Sequence, residues 1–479
     1  MPAPAREVPD VERLYRRVAY VLFAGFAVIA AYLSYWHIIA ADTLAGNPEL
    51  NAYRLSIADQ QSQRGRILDR NGVELAVSVK SGDGFRRVYS RSSLAQTVGY
   101  ASPRFGRTGV EAALDPELSG RAGGGIVSAL RRRLIGTGEP GGDVTLTIDT
   151  RIQDAAERAL TGDGAIVVLD PRDGSILALV SHPTFDPNAL ERGWDSLRTD
   201  PNAPLLNRAT QGRYPPGSTF KTVTGAAALD LGYYTPASKF TCNDQVVIEG
   251  FAIRCDETVR GTFDMTYAYA QSCNACFGEI GLRVGGKDLL EYARRFGFES
   301  APPIEIGSVP SAVVSGSAER RLVGPLLAST AFGQGELLAT PLQMALVAAT
   351  IAHDGLVPSP HLVAHVRSSD GFVSRDRAPG PWREAVRPDT AAAMRAMMIA
   401  VVERGGGQGA RLPGVTVAGK TGTAEVGPSR GTHAWFIGFA PAESPRVAIA
   451  VVREYGGGGG TVAAPIAREV LRTALDLYR

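Results

Sequence analysis

From Val18 to Trp36 the chain runs 19 residues without a charged side chain, and such a stretch admits few structures. As a helix it is about 28 Å long, enough to span the hydrocarbon core of a bilayer. A helix also satisfies its own backbone hydrogen bonds in lipid, where no water is available to do so. Tyr32, Tyr35 and Trp36 crowd its far end, as aromatic residues do at a membrane interface. Arg6, Arg13, Arg16 and Arg17 precede it and acidic Asp42 and Glu49 follow, which orients the N-terminus to the cytoplasm. A cleaved signal peptide is the competing reading, but the run exceeds a usual signal core and no clear Ala-x-Ala site follows. The expectation is an uncleaved single-pass anchor in the plasma membrane. Residues 1–17 are then a cytoplasmic tail, 18–37 the spanning helix, and everything after about residue 42 extracytoplasmic.

The 479 residues leave room for two or three domains. A net charge of +2, with no basic run or aromatic-interleaved patch, gives no nucleic-acid surface. Residues 42–142 have modest apolar content and many turn signals, including Asp69-Arg-Asn-Gly72 and the Gly123–Gly125 run. They read as a small β-containing N-terminal module. Within it, Arg64-Gly-Arg-Ile-Leu-Asp-Arg-Asn-Gly72 reads as a strand entering a tight turn with an ion pair.

The main domain, 143–479, opens at Val144–Asp149 and continues into an amphipathic helix through Leu160. Ala165–Asp170 and Ser175–Val180 are predicted strands, joined by the turn Pro171-Arg-Asp-Gly174. Helical patterns dominate 218–355, and Thr340-Pro341 starts one helix with a capping threonine and a proline at its first position. Strand patterns return at Val415–Ala418, Ala434–Phe439 and Val447–Val452, and a last helix covers Ala463–Tyr478. This order predicts an α+β domain whose first and last strands share one antiparallel sheet flanked by helices.

The stretch Tyr214-Pro-Pro-Gly-Ser-Thr-Phe-Lys221 carries the first chemical signal. Two prolines and a glycine end whatever precedes, and Thr219–Leu231 then reads as a helix closed by Gly232. Ser218 therefore sits where free backbone N–H groups favour negative charge. Lys221, three residues on, presents its amine on the same helical face. A serine hydroxyl becomes a nucleophile when a base takes its proton, and a lysine serves if burial or another cation keeps it neutral. Ser-x-x-Lys alone is equally a capping serine with a solvated lysine. What adds weight is that the chain has only five lysines, and that Lys420 falls in another motif.

Ser272-Cys-Asn274 offers a hydroxyl and an amide within one turn, and Lys420-Thr-Gly-Thr423 follows the predicted Val415–Ala418 strand. Serine acyl transfer needs a nucleophile, a base, a proton relay to the leaving amine and oxyanion donors. It also needs a receptor for the substrate carboxylate. Ser-x-x-Lys, Ser-x-Asn and Lys-Thr-Gly, in that order, match the signature of penicillin-recognising enzymes. The four cysteines leave more open. Cys242 and Cys255 bracket a short extracytoplasmic segment, where a disulfide and two thiols both fit. Cys273-Asn-Ala-Cys276 has the spacing of a redox pair or half a zinc site, but zinc would require all four cysteines in an unusual spacing. The six histidines show no ligand spacing, so neither metal nor cofactor is expected.

With these motifs in place the chain resembles the class B penicillin-binding proteins, the monofunctional transpeptidases of bacterial cell-wall synthesis. The resemblance extends over Arg64–Gly72, Leu205-Leu-Asn-Arg208, Phe332-Gly-Gln-Gly-Glu336, Thr340-Pro-Leu-Gln343 and Ala434-Trp-Phe-Ile-Gly-Phe-Ala-Pro441. The short module at 42–142 is similar to the compact actinobacterial type, and stands where the family has a pedestal or dimerisation module. The resemblance implies a serine β-lactamase/transpeptidase-like fold and a role for each motif residue. Ser218 would attack the penultimate D-Ala of a stem pentapeptide, with Lys221 as base. Ser272, assisted by Lys420, would return a proton to the departing D-Ala, and Asn274 would hold the substrate amide. The N–H groups of Ser218 and Thr423 would form the oxyanion hole. Lys420, Thr421, Gly422 and Thr423 would line the substrate-binding edge and receive the terminal carboxylate. The implied partners are peptidoglycan stem peptides on lipid-linked precursor strands, β-lactam antibiotics, and a membrane-embedded SEDS-type glycosyltransferase polymerase.

Other readings compete. A β-lactamase needs a residue to activate a deacylating water, and none can be located in the sequence. A D,D-carboxypeptidase would release D-Ala to water, but an anchor and N-terminal module suit a cross-linking enzyme better. About 100 residues before the main domain leave no room for a glycosyltransferase domain. A β-lactam sensor would have only a short cytoplasmic tail as output. A non-catalytic scaffold would not need every motif residue.

Overall fold

The computed structural model describes residues 11–36, 63–121, 140–243, 245–254, 259–314, 322–368, 371–374, 380–427 and 431–478. It divides into two units, residues 1–61 and 62–479. In the first, one helix runs Val11–Ser34. Its Tyr15–Ser34 portion is, among the described residues, the helix long and apolar enough to cross a membrane. Phe23 and Phe26 stand fully out from it, as side chains facing lipid would.

The second unit begins with charge rather than with apolar burial. Arg64 is buried and donates to Glu111 Oε2 at 2.8 Å and to Asp115 Oδ1 at 2.7 Å. Arg87 Nε reaches the other oxygen of Glu111 at 2.6 Å. Asp69 then accepts from the backbone N–H of Asn71 and Val73 and from the Thr150 hydroxyl, closing the turn at Gly72. The expected turn and ion pair are both present. Their register fixes a six-stranded sheet: Val373–Ser374, Val363–Arg367, Asp143–Leu146, Ile67–Leu68, Glu74–Ser81, Gly84–Tyr89. Asp143 accepts from Arg66 N at 2.7 Å, beside the parallel pairing of Ile67 with Val144. This sheet therefore takes strands from both sides of residue 143.

The second sheet has five antiparallel strands in the order Ala418–Glu425, Thr432–Ala440, Val447–Arg453, Gly164–Leu169, Ile176–His182. The predicted Ala165–Val180 hairpin shares one antiparallel sheet with the domain's last strands, as the pattern predicted, while Asp143–Leu146 lies in the other sheet. Both faces are covered, which is why the four strands behind the edge strand Ala418–Glu425 are mostly apolar. Ile166, Val168, Ile449, Val451 and Phe436 pack with Ile152, Ala156, Val470 and Leu471 of the helices Thr150–Ala159 and Ala464–Leu477. On the other face Val167, Ala450 and Ile437 share a core with the helix Pro341–Ala352, every residue of which is buried. Thr340 caps that helix by accepting from Gln343 N at 3.1 Å.

One expectation needs an addition and one a correction. Helices dominate 218–355 as expected, but short antiparallel pairs interrupt them: Lys239–Cys242 pairs with Gly261–Asp264, and Gln245–Ile248 with Phe251–Arg254. Each strand is four residues long, too short for alternation to stand out, and the turn Glu249-Gly250 has positive φ at both residues without the usual Asn or Asp. The strand placed at Val415–Ala418 is instead Ala418–Glu425, so Lys420-Thr-Gly-Thr423 lies within it. Gly419 and Gly422 read as breakers, yet close approach demands them. A Cβ at Gly419 would meet the Phe436 ring at 2.3 Å, and one at Gly422 would meet Pro216 O at 2.8 Å.

Candidate active site

Three segments converge on the end of the five-stranded sheet nearest Ser218. Tyr214 makes a two-way backbone bridge to Ala339, and the prolines then turn the chain into a 3-10 turn, Gly217–Phe220, followed by the helix Lys221–Asp230. Gly217 has φ +55 and its carbonyl is pressed against Gly333, where a Cβ would lie only 1.7 Å away. Trp435 Nε1 donates to Pro215 O at 3.0 Å, tying the neighbouring strand to the same turn. Arg208 and Tyr214 both reach Glu454 Oε1, at 2.8 and 2.7 Å. Gly333, Trp435 and Glu454 were not singled out from sequence as part of the site. Only the phrases around Gly333 and Trp435 hinted at them.

Ser218 is half-buried and Lys221 wholly buried. Lys221 Nζ lies 3.0 Å from Ser218 Oγ, 2.6 Å from Ser272 O, 3.1 Å from Ser272 Oγ and 2.6 Å from Asn274 Oδ1. Lys420, also wholly buried, places its amine 2.9 Å from Ser272 Oγ and 3.0 Å from Thr421 O. Every one of these partners is a neutral oxygen. Burial, and secondarily the charge of Lys420, holds Lys221 well below the usual lysine range. Burial alone brings Lys420 down to about 7. A neutral Lys221 amine has a lone pair to accept the Ser218 proton, which an ammonium lacks.

The predicted substrate edge lies on the Ala418–Glu425 strand. Thr421 is buried, and its hydroxyl faces Gly406, where a Cβ would stand 3.3 Å away. Thr423 is exposed, and its Oγ1 accepts from Gly459 N at 3.2 Å, which leaves its own proton free to donate. Gly422 presses on the Ser218 turn, and the Thr423 carbonyl faces Gly217. The structure thus brings Ser218, Lys221, Ser272, Asn274 and Lys420 into one hydrogen-bonded group, with Thr421, Gly422 and Thr423 along its edge.

The Cys273-Asn-Ala-Cys276 spacing, which fits a redox pair or half a zinc site, is closed by a covalent bond: Cys273 and Cys276 are joined to each other in a disulfide. The Cys242 sulfur lies 3.9 Å from that of Cys273. The possible Cys242–Cys255 bond falls on Cys255, which lies outside the described residues.

Fold and site together define a serine acyltransferase of the penicillin-binding type, and comparison with known proteins agrees. Residues 164–472 match the penicillin-binding protein transpeptidase domain, and residues 64–144 match the penicillin-binding protein A dimerisation domain. The chain belongs to the penicillin-binding protein transpeptidase family, in its class B branch. Among its relatives is the peptidoglycan D,D-transpeptidase PbpA of Mycolicibacterium smegmatis, 36% identical, with 96% of this chain and 98% of that protein aligned. The peptidoglycan D,D-transpeptidase MrdA of Acinetobacter baumannii is 33% identical over 75% of this chain and 58% of its own length. Penicillin-binding protein A from M. tuberculosis, solved as its penicillin G acyl-enzyme complex, superposes with a TM-score of 0.78 at 36% identity. That match covers 87% of this chain and all of the solved one.

Proposed function

We propose that this protein is a peptidoglycan D,D-transpeptidase that cross-links stem peptides through an acyl-enzyme on Ser218 and is covalently inhibited by β-lactams. The observation that carries the reading is the buried Lys221 amine, 3.0 Å from Ser218 Oγ with only neutral oxygens around it. In the first half-reaction Lys221 takes the hydroxyl proton as Ser218 attacks the carbonyl of the penultimate D-Ala. The N–H groups of Ser218 and Thr423 receive the developing oxyanion. Ser272 passes a proton to the nitrogen of the departing D-Ala and is reprotonated from the lysine pair. Lys420, Thr421 and Thr423 hold the terminal carboxylate, with Gly422 admitting the close approach of the strand, and Asn274 holds the substrate amide. In the second half-reaction the amine of a neighbouring stem attacks the ester and Ser218 is released. A β-lactam acylates Ser218 by ring opening, so its leaving nitrogen stays tethered and blocks the acceptor.

The same reading places the N-terminus in the cytoplasm and the transpeptidase domain outside the membrane, because Arg13, Arg16 and Arg17 precede the apolar span. It assigns as partner a membrane-embedded glycosyltransferase polymerase of the SEDS type, which would supply the glycan strands carrying the stem peptides. The test is labelling of the protein with a fluorescent penicillin beside a Ser218→Ala variant. Lasting label on the wild type and none on the variant is the expected result. Label that fades within minutes would indicate a hydrolase, and no label on folded wild type a non-catalytic scaffold.

A further inference from the structure

We propose that the Cys273–Cys276 disulfide is a positioning element of the acyl-transfer site, holding Ser272 and Asn274 on Lys221, so that its reduction slows acylation. The proposal rests on Ser218 being the nucleophile and adds a covalent part to its machinery.

The first support is location. Ser272 and Asn274, the two neighbours of Cys273, supply three of the four oxygens around Lys221 Nζ. Any slack at Cys273 is therefore slack at the base. The second is backbone conformation. Ser272 has φ +63, in the left-handed region that a residue with a Cβ seldom occupies. On its N-terminal side the turn is held by hydrogen bonds from Ser272 N to Tyr269 O and from Cys273 N to Ala268 O. On its C-terminal side the disulfide closes a loop over the first turn of the helix Asn274–Val284.

The third support is the chemistry of that helix end. Cys273 is the capping residue, and its sulfur accepts from Cys276 N at 3.2 Å. A helix N-terminus stabilises a thiolate, so Cys273 is the better leaving group of the pair. Reduction by a dithiol would begin with a thiolate attacking the Cys276 sulfur and expelling the Cys273 thiolate. The second thiol of the reductant then attacks the mixed disulfide, frees Cys276 and closes to a cyclic disulfide. The protein gains two electrons and two protons. Both cysteines are deeply buried, at 2% residue exposure, so the pair is unsuited to oxidising or reducing other proteins, and a small reductant reaches it only when the fold opens locally. A zinc site on Cys242, Cys273 and Cys276 is not the better reading, because two of these sulfurs are bonded to each other.

The experiment uses the full chain in detergent, and follows acylation by a fluorescent penicillin over a concentration series. Oxidised wild type is compared with protein treated with dithiothreitol, with thiol titration to count opened bonds and a thermal melt to verify folding. The expected result is an acylation rate constant at least about tenfold lower after reduction, with pre-acylation binding little changed, and recovery on reoxidation. A Cys276→Ala variant should be slow from the start and indifferent to dithiothreitol. If that variant does not fold, reversible loss of rate in folded wild type, in step with opening of the Cys273–Cys276 bond as located by alkylation and peptide mapping, carries the test. Cys276→Ala acylating as fast as oxidised wild type would overturn the proposal. So would an unchanged rate after the bond is shown to be open. A Cys276→Ala variant that dithiothreitol still slows by the full factor would move the effect to the bond at Cys242, and also overturn it. Absence of label on oxidised wild type would instead remove the Ser218 reading, and this proposal with it.

Discussion

Lys221 and Lys420 share one acceptor: Ser272 Oγ lies 3.1 Å from the first amine and 2.9 Å from the second. Two ammonium groups this close cannot both stay charged in a buried site, and the site makes use of that. Burial and the Lys420 charge hold Lys221 well below the usual lysine range, which suits the proposed role of base, while Lys420, near 7, stays partly charged at neutral pH.

Lys420→Met removes a charge that lowers the pKa of Lys221. The Lys221 pKa should rise, and the acid limb of the acylation pH profile should move to higher pH. Stopped-flow acylation between pH 5 and about 9 measures this. An acid limb that stays in place would mean that burial alone sets the base.

The same substitution has a stability signature. With a folded pKa of about 7, Lys420 binds fewer protons folded than unfolded between about pH 7 and 10. Wild-type stability should therefore rise with pH across that window, and the penalty should be fully present below it. Lys420→Met should raise the melting temperature at pH 6–7, with the gain shrinking towards about pH 10. Thermal melts of the two proteins across pH are the check.

Asn274→Ala deletes a 2.6 Å contact to Lys221 Nζ and frees the amine to leave Ser218. Acylation should slow by about a hundredfold with little change in melting temperature, since Asn274 is exposed. An unaltered acylation rate would show that Ser272 alone orients the base.

Gly333→Ala tests the support behind the nucleophile. Its Cβ would fall 1.7 Å from Gly217 O at a residue with φ +92, so the Ser218 turn has to move. The expected cost is about 1–3 kcal/mol of stability together with slower acylation. Denaturant melts and penicillin labelling report the two separately.

Glu111→Gln tests the N-terminal module. It removes the charge that both Arg64 and Arg87 face, and all three side chains are buried. Breaking such a pair on one side costs about 3–5 kcal/mol. Loss of Arg64 should cost less in this background than in the wild type, with a remainder from its 2.7 Å pair with Asp115, and a double-mutant cycle reads the difference.

Residues that chemistry dictates were the ones legible in the sequence. Ser218, Lys221, Ser272, Asn274 and Lys420 were legible only as three motifs in order, since each motif alone is common, and the structure brings all five side chains into one hydrogen-bonded group. Gly333 on Gly217 was not legible, because the demand comes from a contact between segments far apart in the chain. The sheet was legible from its inner strands, which are apolar on both faces because helices cover both. The extent of the Ala418–Glu425 strand was not, since Gly419 and Gly422 look like interruptions until Phe436 and Pro216 are seen against them. The short strands between Lys239 and Asp264 carry too few residues for a periodic signal.

The six-stranded sheet sets an order of assembly. Its strands at Ile67–Leu68 and Asp143–Leu146 are made early, but Val363–Arg367, which pairs with Asp143–Leu146, is made only after most of the transpeptidase domain. A chain growing from its N-terminus therefore holds an open, unpaired strand edge through much of its synthesis. Truncations ending before residue 363 should leave that edge bare and prone to associate. The N-terminal module is then better regarded as a part that closes only once much of the transpeptidase domain has been made than as a pedestal built first.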